Sequence, residues 1–79
     1  MYIVYFEGST PINLADEWDA VILADNLFLV RTAASRSRLY HAVKRRLRPD
    51  RLLVAPLADD PKFMGMAAGA LKWVRNAPS

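Results

Sequence analysis

The sequence predicts a single α+β domain built on a small antiparallel sheet. Four short segments rich in β-branched, aromatic and other large apolar residues are typical of strands. One longer segment carries apolar side chains at helical spacing, and the elements follow the order strand, short crossover, strand hairpin, helix, strand, helix. With 79 residues, 53% of them apolar and 24% charged, the chain suffices for one globular domain, 1–79, and for no more.

The first strand and the crossover after it occupy the start of the chain. Tyr2–Phe6 is a β-branched and aromatic run that Glu7-Gly8 ends. Thr10-Pro11 suits an N-cap followed by proline at the first helical position. A helix of about two turns would then be lined by apolar side chains, although an irregular loop fits the same residues. The residues of that apolar line are Ile12, Leu14, Ala15 and Trp18.

A hairpin and a helix are predicted in the middle of the chain. Ala20–Leu23 and Leu27–Thr32 are the hairpin strands, because the Asp and Asn residues between them tolerate positive φ. Ser35 suits the N-cap of a helix from Arg36 to Leu47. Four side chains of this helix fall within a roughly 100° arc and form its buried face. They are Leu39, Tyr40, Val43 and Leu47.

The last third of the chain is predicted to hold a strand and a second helix. Arg48-Pro49-Asp50 ends the first helix, because a residue before proline disfavours helical geometry. Arg51–Leu57 is a strand, and Pro56 assigns it to an edge of the sheet, since proline cannot donate to a ladder. Asp59-Asp60-Pro61 is a turn, and a segment from about Ala67 to Asn76 is helical.

This order of elements favours a sheet of ferredoxin-like type. The strand Leu27–Thr32, the helix and the strand Arg51–Leu57 correspond to half of a split βαβ unit. The simplest closure is a four-stranded antiparallel sheet with an abbreviated first helix, the basic helix on one face and a C-terminal helix. The fourth strand is then an edge, in agreement with Pro56.

All four predicted strands are apolar at consecutive positions, so we expect both faces of the sheet to be covered. A sheet with one solvated face would alternate apolar and polar residues. The helix 36–47 can cover one face only. Either the C-terminal segment folds back over the other face, or a second subunit packs on it, with or without exchange of the C-terminal segments. The small size of the chain favours the second subunit.

The chain has no cysteine and one histidine, His41. These counts exclude disulfides and thiolate metal sites, and they leave self-association as the expected supplement to a small core. The first residues lack the basic region of a signal peptide, and the longest uncharged run, 63–71, is too short to span a bilayer. The sequence therefore predicts a cytoplasmic homodimer that does not enter a membrane.

The net charge of +3 hides a partition of charge along the chain. Residues 1–25 hold five acids and no base, whereas residues 26–49 hold seven bases and no acid. In the predicted helix, Arg38, His41 and Arg45 recur at spacings of three and four and share the outer face. Cations at positions 36 and 38 oppose the positive end of the helix dipole, and a bound anion would relieve that repulsion.

The partition leaves two interpretations open. The basic face is a solvated surface that meets the acidic first third of its own subunit or of a neighbour, or it binds the phosphates of DNA or RNA without reading bases. An acidic partner protein is an alternative to nucleic acid. The expected contacts with nucleic acid are Arg36, Arg38, Lys44, Arg45, Arg46 and Arg48.

Few residues suggest catalysis, and the sequence favours a binding module over an enzyme. Glu7 closes the first strand, where its carboxylate either holds a divalent metal or is a solvated strand end. Asp59 and Asp60 fit turn positions, Ser35 fits an N-cap, and His41 fits the polar face of the helix. No catalytic residue is assigned, and no cofactor besides that metal is expected.

The sequence resembles the small ferredoxin-like CRISPR-associated adaptation proteins and their stand-alone relatives. The resemblance is carried by Tyr2–Glu7, the strand 26–32, Ser35 at the start of a basic helix, and the segment 49–55. It is distant and covers about two-thirds of the chain. It implies a homodimer packed through its sheets that binds nucleic acid, and for some members a metal-dependent nuclease.

The same resemblance implies a position for the metal. In that family a metal-binding aspartate follows an aromatic residue at the end of the first strand, and Phe6-Glu7 occupies this position here, with glutamate in place of aspartate. The sequence thus favours a homodimeric module that binds nucleic-acid backbone. Two alternatives remain: an assembly module for an acidic partner protein, and a metal-dependent phosphodiesterase that uses Glu7.

Overall fold

The structure is a computed structural model that describes residues 1–8 and 14–76. Its elements follow the predicted order, and their bounds are β1 (Tyr2–Glu7), a 3₁₀ turn (Leu14–Asp16), β2 (Asp19–Ala24), β3 (Leu27–Arg31), α1 (Arg36–Leu47), β4 (Arg51–Pro56) and α2 (Ala70–Arg75). In these two ranges no helix has the length and apolar character needed to cross a membrane.

The four strands form one antiparallel sheet in the order β2-β3-β1-β4. β1 pairs with both β3 and β4, and Ile3 lies opposite Leu29 on one side and Ala55 on the other. Because β3 and β4 both run antiparallel to β1, the path β3–α1–β4 is a split βαβ unit with β1 inserted. The predicted ferredoxin-like α+β fold is therefore confirmed, with β4 at an edge as Pro56 requires.

Helix α1 has the predicted bounds because local interactions define both of its ends. Ser35 is extended, with φ −68° and ψ 162°, and its hydroxyl accepts a hydrogen bond from the backbone N–H of Arg38 at 3.2 Å. At the other end, Arg48 adopts a left-handed conformation and donates its N–H to the Lys44 carbonyl at 3.0 Å. Pro49 follows and prevents the helix from continuing.

Some predicted bounds differ from the structure. Thr32 and Leu57 lie just beyond the strands to which they were assigned. The C-terminal helix begins at Ala70 rather than near Ala67, because Gly69 has a φ of 86° and cannot belong to a right-handed helix. The predicted start of the first helix, Thr10-Pro11, lies outside the described residues, and within the described part of that predicted helix Leu14–Asp16 form a 3₁₀ turn.

The first face of the sheet and α1 enclose the main core. The rings of Phe6 and Phe28 stack there with centroids 5.6 Å apart. Leu14, from the 3₁₀ turn, closes the core beside β2, and Trp18 packs against it while remaining partly exposed. The buried side chains of the main core are Val4, Phe6, Leu14, Ala20, Phe28, Val30, Leu39, Val43 and Leu47.

The C-terminal segment covers part of the second face. Leu23 and Leu29 of the sheet are buried there together with Ala70 and Val74 of α2. The backbone N–H of Ala67 donates to the Leu23 carbonyl of β2 at 2.8 Å, which covers part of this edge strand. Of the two predicted ways to cover the second face, the structure contains the fold-back of the chain's own C-terminal segment.

Arg31, at the end of β3, attaches α2 to the sheet. Its guanidinium donates to the Trp73 carbonyl at 3.0 Å and to the Asp19 carboxylate at 3.2 Å, and it lies 3.9 Å from the centre of the Trp73 ring. The indole N–H of Trp73 donates to the other oxygen of Asp19 at 3.1 Å. Arg31, Asp19 and Trp73 thus form a closed set of contacts, the Arg31 cluster, that joins two strands to the last helix.

We expect Arg31→Met to lower the free energy of unfolding by about 2–3 kcal/mol, because it removes two hydrogen bonds of a charged donor and a cation–π contact. Arg75→Met is the matched control, since it removes an exposed cation from α2 itself and is expected to change stability by less than about 0.5 kcal/mol. Urea unfolding followed by tryptophan fluorescence measures both effects. Equal losses in the two variants would show that Arg31 does not anchor α2.

Candidate nucleic-acid interface

The outer face of α1 is a row of exposed polar side chains. Leu39, Val43 and Leu47 are buried and fix which side of the helix faces the sheet. At 100° per residue, positions 38, 41 and 45 then lie within a roughly 60° arc on the opposite side. We call Arg38, His41 and Arg45 the basic ridge, and all three are exposed.

The acidic first third of the chain neutralises only some of the bases. Within residues 1–8 and 14–76 the ion pairs join Arg31 to Asp19, Arg46 to Glu17, and Arg51 to Glu7. Among the residues predicted to contact nucleic acid, Arg46 is therefore the one that pairs with a carboxylate within these described ranges. Within the described ranges, the interpretation that the basic face contacts its own acidic third holds for Arg46 and not for the basic ridge.

The other predicted contact residues are exposed and lie on or beside α1. Lys44 is 5.9 Å from the centre of the Tyr40 ring, which is a weak cation–π contact. Like charges on one helix repel one another, so this concentration of cations disfavours the folded helix slightly. The predicted contacts without a carboxylate partner in the described ranges are Arg36, Arg38, Lys44, Arg45 and Arg48.

Arg36 and Arg38 border different hollows of the surface. Arg36 lines a hollow of about 230 Å³ beside β4, together with Ser37, Tyr40 and Val54. Arg38 lines a larger one on the side of the crossover. The two guanidinium groups that the sequence places at the start of α1 thus extend the basic surface to both sides of the helix.

A groove of about 480 Å³ runs along the basic ridge. All three ridge residues line it, and Trp18, which directly precedes β2, lines it as well. The sequence placed Trp18 in the apolar line of the crossover. It did not predict that this residue lies beside the cations of α1. No local sequence pattern indicates this position, because it depends on the packing of the crossover beside α1. The groove is completed by Ala34, Ser37, Leu39 and Ala42.

Glu7 lies on the second face of the sheet, away from the basic ridge. The Tyr5 hydroxyl donates a hydrogen bond to its carboxylate, and Arg51, directly opposite on β4, lies 3.9 Å from the same oxygen. The hydrogen bond to Glu7 is the main cause that raises the pKa of Tyr5 above its usual value, with smaller contributions from desolvation and from the Glu7 charge. Arg51 opposes this rise in pKa.

The surroundings of Glu7 suit a cation poorly. Its carboxylate already accepts from a phenol and faces a guanidinium, whereas Mg²⁺ and Ca²⁺ need several oxygen ligands. Among the described residues, no group of three or more His, Cys, Asp and Glu side chains could hold a metal ion. Within the described residues, Glu7 therefore belongs to no such group, and a metal at this carboxylate stays a prediction.

The remaining candidate residues make local contacts in a turn, at a helix cap and with a neighbouring ring. The backbone N–H of Asp60 donates to the Asp59 carboxylate at 2.8 Å, and both residues are exposed in the turn after β4. Ser35 caps α1. His41 packs edge-on against Tyr40, with ring centroids 5.2 Å apart, and borders the groove.

A comparison with protein-family models, with curated proteins and with solved structures finds no match for this chain. The resemblance to CRISPR-associated adaptation proteins therefore stays a prediction from the residues that carry it. The basic ridge, the groove and the open part of the second sheet face are the surfaces on which a function can be based.

Proposed function

We propose that this protein is a cytoplasmic, homodimeric module that binds the phosphate backbone of nucleic acid through α1. The observation that carries the proposal is the set of exposed cations on this helix that lack a carboxylate partner in the described ranges. Guanidinium groups bind phosphate through two parallel hydrogen bonds, and their planar fork suits this anion. The proposed contacts are Arg36, Arg38, Lys44, Arg45, Arg46 and Arg48.

The proposed binding is electrostatic and tolerant of sequence. Contacts from Arg and Lys to phosphates position a protein on nucleic acid but carry no base information. Arg46 would exchange its exposed contact with Glu17 for a phosphate, which costs little because surface ion pairs stabilise by about 0–1 kcal/mol. An acidic protein surface is the competing partner for the same cations.

Binding to short oligonucleotides is expected to weaken with salt, with a log–log slope of about −4 if four or five phosphates are contacted. The double variant Arg38→Gln/Arg45→Gln should bind more weakly and bring the slope closer to zero by about two, since each lost phosphate contact removes about one. Lys62→Gln/Arg75→Gln is the matched control, because it removes two exposed cations that lie outside α1. Fluorescence anisotropy with single-stranded and duplex probes measures all three proteins.

The proposal fails if the protein does not bind at about 50 mM salt, or if binding is indifferent to salt. Equal losses in the two double variants would mean that net charge, and not α1, determines affinity. Co-purification with an acidic protein and without nucleic acid would favour the assembly module instead.

The backbone conformation of Arg48 supports a role for its side chain in phosphate binding. Arg48 has φ 48° and ψ 53°, a region that glycine adopts more readily than arginine by about 1 kcal/mol. Its contribution to the helix end is the backbone N–H bond to Lys44, which glycine would supply equally well. The fold therefore does not require an arginine here, whereas a phosphate contact requires a cationic side chain.

We expect Arg48→Gly to raise the free energy of unfolding by about 0.5–1 kcal/mol and to weaken oligonucleotide binding, with a salt slope closer to zero by about one. Asn26→Gly is the control, because Asn26 also has a positive φ, of 64°, in the turn between β2 and β3. It should stabilise less, since Asn tolerates this conformation, and should leave binding unchanged. Urea unfolding measures the stability of both variants, and fluorescence anisotropy measures their affinity for oligonucleotides. Unchanged binding by Arg48→Gly would show that Arg48 does not belong to the interface.

We further propose that two copies associate through the part of the second sheet face that α2 leaves open. Leu53 of β4 is 54% exposed there, and its cross-strand neighbour Tyr5 is half-buried. Glu7 and Arg51 lie opposite each other at the end of β1 and β4, so one face presents both charges and is self-complementary about a two-fold axis. Burying this apolar surface would add stability that a chain of 79 residues needs.

Leu53→Glu is expected to convert the dimer to monomers, because it would bury an unpaired carboxylate at the proposed contact. Ile22→Glu is the matched control: Ile22 is also exposed, at 39%, but lies on β2 and on the other face of the sheet. Light scattering at micromolar concentration gives the mass of each protein. A monomeric wild type, or a Leu53→Glu variant that remains dimeric, would refute this arrangement.

A further inference from the structure

We infer that the groove between Trp18 and the basic ridge holds one base of a single strand, stacked on the indole of Trp18. This base site rests on the proposed function, because the phosphates bound along α1 would hold the strand in place. It adds a preference that phosphate contacts alone do not provide, namely for single strands over duplex.

The groove has the size and the lining that such a site needs. Its volume of about 480 Å³ falls in the range of small-molecule sites, about 300–1,000 Å³. It combines an aromatic ring with the guanidinium groups of Arg38 and Arg45. Proteins that bind single strands without sequence preference use this combination, because every base has a π-face and every nucleotide has a phosphate.

Trp18 packs against the main core and is not fully enclosed. It packs against the main core beneath α1 and still borders the groove. A ring that already packs on the core loses less conformational freedom when a base stacks on it than a fully exposed ring would. The second tryptophan, Trp73, differs, because its indole already contacts Arg31 and donates to Asp19 on the other face of the sheet.

The cations of the groove flank the proposed base. Arg38 and Arg45 are seven residues apart, which is about 10 Å along the helix axis, and His41 lies between them. A nucleotide seated at the centre can therefore direct its phosphates toward a guanidinium on either side. In a duplex the bases are paired and stacked on each other, so stacking on Trp18 would first require one of them to leave the helix.

The test compares three fluorescent probes of about twelve nucleotides: oligothymidine, an abasic strand with the same number of phosphates, and a duplex. Oligothymidine is expected to bind about 5- to 150-fold more tightly than the abasic strand, the effect of one stacked base. Trp18→Leu retains an apolar side chain against the core and removes the ring. It should bind oligothymidine and the abasic strand with equal affinity.

Tryptophan fluorescence gives a second measurement. In a Trp73→Phe protein Trp18 is the one remaining tryptophan, and oligothymidine should quench it, whereas the abasic strand should not. In Trp18→Leu the remaining tryptophan is Trp73, and its emission should not respond to either strand. If Trp18→Leu does not fold, the abasic comparison with the wild type and the quenching of Trp18 decide the question.

The outcomes separate the base site from the proposed function. Salt-dependent binding that is equal for oligothymidine and the abasic strand would overturn the base site and leave phosphate binding intact. Tighter binding of the duplex, or a Trp18→Leu protein that keeps the preference for oligothymidine, would also overturn it. Failure of all three probes to bind would refute both.

Discussion

A sheet that is apolar on both faces must be covered on both, and the rest of this structure depends on that constraint. Helix α1 covers the first face with Leu39, Val43 and Leu47, so the polar side of the helix has to point outward. The exposure of the basic ridge is thus a consequence of core packing. On the second face, α2 provides part of the cover, and the Arg31 cluster joins this helix to the start of β2 and the end of β3.

The basic residues differ in whether they contact a carboxylate. Arg31, Arg46 and Arg51 contact acids of the first third, and each pair connects segments that are distant in sequence. The bases on the outer side of α1 have no such partner in the described ranges, and the helix would form without their charges. Since an exposed cation contributes little to stability, these cations are not needed for folding and are free to contact the external anion that we propose.

The sequence was most informative where local chemistry determines the structure. The bounds of α1 were predicted correctly because Ser35 and Pro49 act on their immediate neighbours. Strands were placed to within one residue because their apolar runs are continuous. The start of α2 was predicted too early, since the conformation of Gly69 accompanies contacts of the C-terminal segment with the edge strand β2, a tertiary effect.

The candidate site was predictable in its charges and not in its shape. The spacing of Arg38, His41 and Arg45 on a helix is a local property and identified the ridge. Trp18 belongs to a different segment, and only the packing of the crossover beside α1 brings it to the groove. The role of Arg31 was missed for the same reason, because its partner Trp73 is 42 residues away. The contact of Tyr5 with Glu7 was also not predicted, although residues two apart in a strand share a face.

The two proposed surfaces lie on opposite faces of the sheet, and this geometry limits how a dimer would act. The ridge and its groove are on the side of α1, whereas Leu53, Glu7 and Arg51 are on the other side. If two copies meet through the second face, their α1 helices point away from each other. Each copy then binds its own segment of nucleic acid, so dimerisation cannot create one continuous basic surface. A dimer of this kind holds two segments apart at a fixed distance, and its second site increases avidity only for a strand long enough to reach around the sheets.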